Sequence, residues 1–178
     1  MKYSIASISL VVVISTASAA AVSSCGDGYD KMIGEVDSEF GQQSISLNTS
    51  FYYLIEDDST ELLITNVECD CSKLNDWFGT IDAFPQYNIV LWLDSLAPGE
   101  YGLEQGEGGE DFIFSGELNF LEQDSYYRWY GLDQGHLLVN SEGGEDYSIN
   151  ADLVFSDSDG RLAVVSGAIN TRFCEVEW

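Results

Sequence analysis

Tyr147-Ser148-Ile149-Asn150-Ala151-Asp152-Leu153-Val154-Phe155 runs into Ser156-Asp157-Ser158-Asp159-Gly160, and Leu162 to Ile169 follows. Tyr147, Ile149, Ala151, Leu153 and Phe155 alternate with Ser148, Asn150 and Asp152. A period of two puts the apolar side chains on one face of a strand. Asp-Gly between two such runs is a strong hairpin signal, so 147–169 predicts two antiparallel strands joined by an acidic turn.

The same pattern extends toward the N-terminus. Ile45, Leu47, Phe51, Tyr53 and Ile55 share one phase between Ser44 and Ile55, opposite Ser44, Ser46, Asn48 and Ser50. That predicts a half-buried strand. Leu63, Thr65, Val67 and Cys69 are in register between Glu61 and Cys71. Asn88 to Leu93 is a short continuous apolar run, which suits a central strand. Pro98-Gly99 marks a turn before Tyr101. Phe112, Phe114, Leu118 and Phe120 form another alternating face, and Tyr126 to Tyr130 and His136 to Val139 are two further short strands. Helical patterning is confined to Ser72 to Phe78. The expected fold is all-β, an antiparallel β-sandwich or barrel of about seven to nine short strands with little helix.

Two local echoes run through these strands. Gly109-Glu110-Asp111-Phe112 returns as Gly144-Glu145-Asp146-Tyr147, and continues through Leu118 and Phe120 against Leu153 and Phe155. Tyr101-Gly102-Leu103 returns as Tyr130-Gly131-Leu132. Two copies at unequal offsets do not make a solenoid. Similar strand starts are the simpler meaning.

The 178 residues carry 31 Asp plus Glu against 6 Lys plus Arg, a formal charge of −25. That charge excludes nucleic acid or anionic lipid as the main electrostatic partner. A hydrophobic content of 45% and an aromatic content of 13% argue for a packed core rather than an acidic disordered tail. The charge also favours a soluble monomer, since copies of the chain repel one another.

Lys2 precedes an apolar stretch from Ile5 to Ile14, and small residues follow from Ser15 to Ala21. A basic start, a short apolar region and Ala-x-Ala sites at Ala17-Ser18-Ala19 and Ala19-Ala20-Ala21 make a secretory signal. The run is shorter than the ~20 apolar residues a bilayer span needs. Residues 1–21 are thus expected to be a signal peptide and 22–178 a single acidic β domain, secreted and without a transmembrane segment. An alternative is a bacterial envelope lipoprotein acylated at Cys25, because Val22-Ser23-Ser24-Cys25 resembles a lipobox.

Four cysteines, Cys25, Cys69, Cys71 and Cys174, read as two disulfides in an exported chain. Cys69 and Cys71 on one strand face would have Cβ atoms ~6.6 Å apart by strand rise. A disulfide needs about 4 Å, so one of the pair is expected to bond Cys25 and the other Cys174. A zinc site from Cys69, Cys71, Cys174 and His136 would have legal ligands, but no Cys-x-x-Cys spacing supports it.

Catalytic signals are weak. The chain has a single histidine, His136, with no motif around it, and no nucleophile elbow, zincin or phosphate-binding loop is present. A glycan-active hydrolase needs only two carboxylates, and 31 acids satisfy any spacing by chance. Binding without catalysis is the expectation. Glu107, Glu110 and Asp111, with Glu142, Glu145 and Asp146, are candidate calcium ligands, against the simpler reading of a solvated acidic face. No other cofactor is expected. Tyr126, Arg128, Trp129 and Tyr130 are the candidate ligand contacts, because aromatic rings and Arg dominate interfaces and flat rings stack on sugars. An extracellular glycan or protein is the expected partner. Asn48-Thr49-Ser50 is a glycosylation acceptor in a eukaryotic host.

Overall fold

A computed structural model describes residues 31–55, 59–66, 71, 86–103, 112–122, 126–144 and 146–175, with the main chain alone at 112, 113, 122, 126 and 127. Ten strands follow one another among these residues: β1 Met32–Ser38, β2 Gly41–Leu47, β3 Thr49–Leu54, β4 Thr60–Thr65, β5 Tyr87–Leu93, β6 Gly99–Gly102, β7 Phe112–Glu122, β8 Tyr126–Gly143, β9 Asp146–Ser156 and β10 Leu162–Phe173. Among the described residues no helix is long and apolar enough to cross a membrane.

Seven of the strands close a barrel in the order β10-β3-β4-β5-β7-β8-β9, with β9 returning to β10. Most pairings are antiparallel, but β10 meets β3 and β6 meets β7 in parallel. The parallel pairings arise where an extra strand parts the wall. β1 occupies the edge of β10 along Ala163–Gly167, and β3 takes the same edge at Arg172 and Phe173. β7 pairs β8 directly along Glu117–Glu122, and β6 fits between them where β7 begins. β2 is attached outside the ring through β1.

The barrel interior is filled by side chains. Leu62, Ile64, Ile89, Leu91, Leu93, Phe114, Leu118, Phe120, Leu137, Val139, Ile149, Leu153 and Phe155 form one buried cluster with Tyr52, Tyr101 and Tyr130. Each large apolar side chain removed from water contributes about 1.5–3 kcal/mol. The hairpin expected from residues 147 to 169 is present, with Ile149, Ala151, Leu153 and Phe155 all inward. The echoed pairs Leu118 and Leu153, Phe120 and Phe155 also point inward, as do Tyr101 and Tyr130.

Three details differ from the sequence expectation. Among the described residues the all-β fold is a closed seven-strand barrel with three added strands, and several strands are long rather than short. Tyr126–Tyr130 and His136–Val139 belong to one strand, β8, with a register shift between Leu132 and Gln134. Tyr130 faces the core before that bulge and Leu137 and Val139 face it after, so the phase of alternation inverts. The Ser44–Ile55 run is likewise two strands broken at Asn48. Ile45 and Leu47 enter the barrel core, whereas Phe51 and Tyr53 lie in a second cluster with Leu63 and Cys174. β3 and β4 are therefore buried on both faces rather than half-buried.

Cys71 and Cys174 are disulfide-bonded, 103 positions apart in sequence and with Cα atoms 5.6 Å apart. The Cys174 N–H also donates to the Tyr52 carbonyl at 2.9 Å, so the end of β10 is held to β3. Cys25 and Cys69 lie outside the described residues, as do the segment read as helical and residues 1–21.

Candidate functional site

The outer face of the wall formed by β5, β7 and β8 carries the exposed aromatic residues that matter most. Ile89, Leu91 and Leu93 point into the barrel, so Asn88, Val90 and Trp92 point out. Cross-strand register then fixes the neighbours. Asn88 faces Asn119 and Asn119 faces Trp129; Val90 faces Glu117 and Glu117 faces Gly131; Trp92 faces Ser115. Two tryptophans thus stand at opposite corners of a polar patch. Trp129 is 66% exposed and Trp92 36% exposed. They are two strands apart and offset along β7 from Ser115 to Asn119, which puts their Cα atoms roughly 16 Å apart by strand rise and spacing.

The groups between them are oriented. Asn119 Nδ2 donates to Asn88 Oδ1 at 3.0 Å and to Glu117 Oε1 at 2.9 Å. Trp92 Nε1 donates to Glu61 Oε2 at 3.0 Å, and the Tyr53 hydroxyl donates to Glu61 Oε1. Tyr53, Glu61 and Trp92 are consecutive in one cross-strand row, so Glu61 fixes the indole of Trp92 from the side. Burial first, then the hydrogen bond to Glu61 and its charge, push the Tyr53 hydroxyl far above the usual phenol range. Tyr53 therefore remains a donor. A Cβ at Gly131 would meet nothing within 4 Å, which leaves a shallow notch beside Glu117 and Trp129.

Such a patch can stack flat apolar rings on two indoles while amide and carboxylate groups meet hydroxyls between them. Among the described residues neither Glu61 nor Glu117 is paired with a cation, so the patch retains negative character there. An anionic ligand meets repulsion there.

The other residues singled out from sequence have different surroundings. Tyr130 is fully buried and donates its hydroxyl to the Asp37 carbonyl at 2.7 Å, so it touches no solvent-borne ligand. Arg128 faces Phe120 across β7 and β8, on the inner side at one end of the barrel. Its guanidinium bonds Asp157 at 3.2 Å, Asp159 at 3.3 Å and Glu39 at 3.4 Å. Arg161 reinforces the same two aspartates at 3.2 and 2.8 Å. Asp157 also accepts the N–H groups of Asp159 and Arg161 at 2.9 and 2.8 Å. Burial raises the Asp157 carboxyl, but these backbone donors and the two guanidinium groups outweigh it and hold the carboxyl below the usual Asp range. Arg128 and Asp157 thus tie the β8 strand, the β9–β10 turn and the β1–β2 turn together.

The Tyr126 side chain lies outside the description, as do Glu107, Glu110, Asp111 and Glu145. Glu142 and Asp146 are exposed at the β8–β9 turn. Among the described residues no group of three His, Cys, Asp or Glu side chains is close enough to hold a metal ion. His136 is exposed and faces Asp152 on the outer wall. Asn48 is exposed at the β2–β3 junction.

Of the four residues expected to contact ligand, Trp129 alone is described as broadly solvent-facing. Trp92, Glu117 and Asn119 were not expected at a site, nor was Asn88, which is buried and orients Asn119 rather than meeting a ligand. The signal for Trp92 was its phase, opposite to Leu91 and Leu93. No family model, curated protein or solved structure matches this chain.

Proposed function

We propose that this protein is an exported, acidic, disulfide-tied binding module that holds a neutral glycan on the Trp92–Trp129 wall without acting on it chemically. The observation that carries the reading is the pair of exposed indoles on one rigid barrel wall, with Asn119 and Glu117 aligned between them. Sugar rings offer apolar faces to indoles and hydroxyls to amides, so both kinds of group have work on the same ligand. The distance between the tryptophans suits a chain of several sugars better than a single ring. The signal-like start of the sequence and the Cys71–Cys174 bond support an oxidising, extracellular setting.

The test is calorimetric titration of the purified mature protein with neutral oligosaccharides of several linkages, and with an acidic oligosaccharide as control. At least one neutral oligosaccharide is expected to bind, and Trp129→Ala is expected to remove most of that affinity. Absence of binding across the neutral panel, or binding indifferent to both Trp129→Ala and Trp92→Ala, contradicts the reading.

A further inference from the structure

Away from the tryptophan wall, the sheet ends at β2. Among the described residues β2 is hydrogen-bonded to β1 on one side and has no strand on the other. The β1–β2 turn decides which main-chain groups that free edge offers. Ser38 and Gly41 face each other across the two-residue loop Glu39-Phe40, and the residues flanking such a loop exchange hydrogen bonds. Bonded and non-bonded pairs then alternate along the ladder. Gln42, Ser44 and Ser46 fall in the non-bonded pairs, so their N–H and C=O groups point away from β1. Asn48 continues the same phase, and its N–H goes to Thr65 O at 3.0 Å, on the side away from β1.

This edge lacks the usual guards. Gly41–Leu47 contains no charged residue and no proline, and its register with β1 runs without a bulge. Against a second copy of the same chain a local guard is unnecessary, because 31 acids and 6 bases make self-pairing repulsive at long range. A cationic strand meets the opposite field. Glu35 and Asp37 are exposed on β1, on the same outer face as Gln42, Ser44 and Ser46. The two serines are short, so a long side chain on an added strand reaches over β2 to those carboxylates. At the other end, Ser46 borders an open groove of about 620 Å³ that includes the exposed residues Ile33 and Val164.

We propose that the free edge of β2 is a docking site for an extended basic peptide segment, which joins the sheet through Gln42, Ser44 and Ser46. Its basic side chains lie toward Glu35 and Asp37, and an apolar side chain enters the groove beside Ile33. Backbone bonding supplies the affinity and the alternate side chains supply the selection. β2 approaches β5, but the edge uses none of the residues of the tryptophan wall, so the two readings are tested by different substitutions.

The test uses the mature protein, a synthetic peptide of alternating Lys and Thr, and its Glu–Thr counterpart, with backbone amide resonances and hydrogen exchange as readouts. The Lys–Thr peptide is expected to bind more weakly as salt rises and to slow exchange at Gln42, Ser44 and Ser46. Ser44→Pro removes a donor that has no partner among the described residues, and is expected to weaken binding about tenfold. Ser46→Lys places a like charge on the edge and weakens it similarly, which keeps the test intact should the proline variant fold poorly. Trp129→Ala leaves peptide binding unchanged. Equal binding of the Glu–Thr peptide, or Lys–Thr binding unaffected by Ser46→Lys and by folded Ser44→Pro, overturns the proposal. So does concentration-dependent protection of the three amides without peptide, since the occupant would then be a second copy.

Discussion

The β3–β4 wall and the β7–β8 wall of the same barrel treat bulky outward residues in opposite ways. On β3 and β4, Phe51, Tyr53 and Leu63 point away from the barrel core, yet all are buried in a second cluster with Cys174. On β8, Trp129 points away from the core and stands in solvent. The first wall satisfies its outer apolar surface within the chain. The second leaves an indole uncovered beside an ordered amide and carboxylate, and an uncovered aromatic with oriented polar neighbours is what a binding surface requires. Position on the outer face therefore does not decide the role of an aromatic residue. Cover does.

The contrast can be broken most forcefully at the covered wall. Phe51→Ala is expected to cost about 3–5 kcal/mol, as for other large-to-small changes in a packed core. Urea denaturation measures it, and a loss well under 1 kcal/mol would mean that the outer cluster is not a second core. Replacing both Cys71 and Cys174 by Ser releases a long closed loop at the rim of that cluster. A loss of about 2–5 kcal/mol is expected, again by denaturation, while an unchanged midpoint would show that the bond is dispensable to the covered wall.

Asp157→Asn acts at the barrel end, outside both walls. It weakens bonds between a buried carboxylate and two guanidinium groups, and about 1.5–3 kcal/mol is expected. The pH dependence gives a second handle. The Asp157 pKa is lower in the folded than in the unfolded chain, so its contribution is full above the ordinary Asp range and is lost as pH falls through the folded value. Asp157→Asn should remove that part of the acid-side loss. An identical stability-against-pH curve would contradict the tie.

The smallest stability effect belongs to the open wall. Trp129→Ala is expected to change unfolding free energy by less than about 0.5 kcal/mol while removing glycan binding. A destabilisation as large as that of Phe51→Ala would make Trp129 part of a packed surface and erase the difference between the walls.

The strands were legible wherever alternation kept one phase. Residues 147–169 could be read directly, because β9 and β10 hold their inward faces throughout. Residues 88–93 were legible as a strand from their continuous apolar run, whereas the outward phase of Trp92 was not. Alternation misled where the phase inverted. The register shift near Asp133 made β8 look like two strands, and the break at Asn48 made Phe51 and Tyr53 look like partners of Ile45 and Leu47. Site residues were harder, because register across strands rather than order along them assembles Trp92, Glu117, Asn119 and Trp129. Trp129 could be singled out from its aromatic neighbourhood. Arg128 and Tyr130 share that stretch, but period two sends them to the inner face, where the acidic turn and the Asp37 carbonyl use their polar groups.

The most direct test follows the indole N–H resonances of the chain's four tryptophans while a binding neutral oligosaccharide is added. The resonances of Trp92 and Trp129, assigned by single substitution, should shift together and saturate at one affinity. Saturable binding that leaves Trp92 and Trp129 unmoved would contradict the claim that this open wall is where the protein meets its ligand.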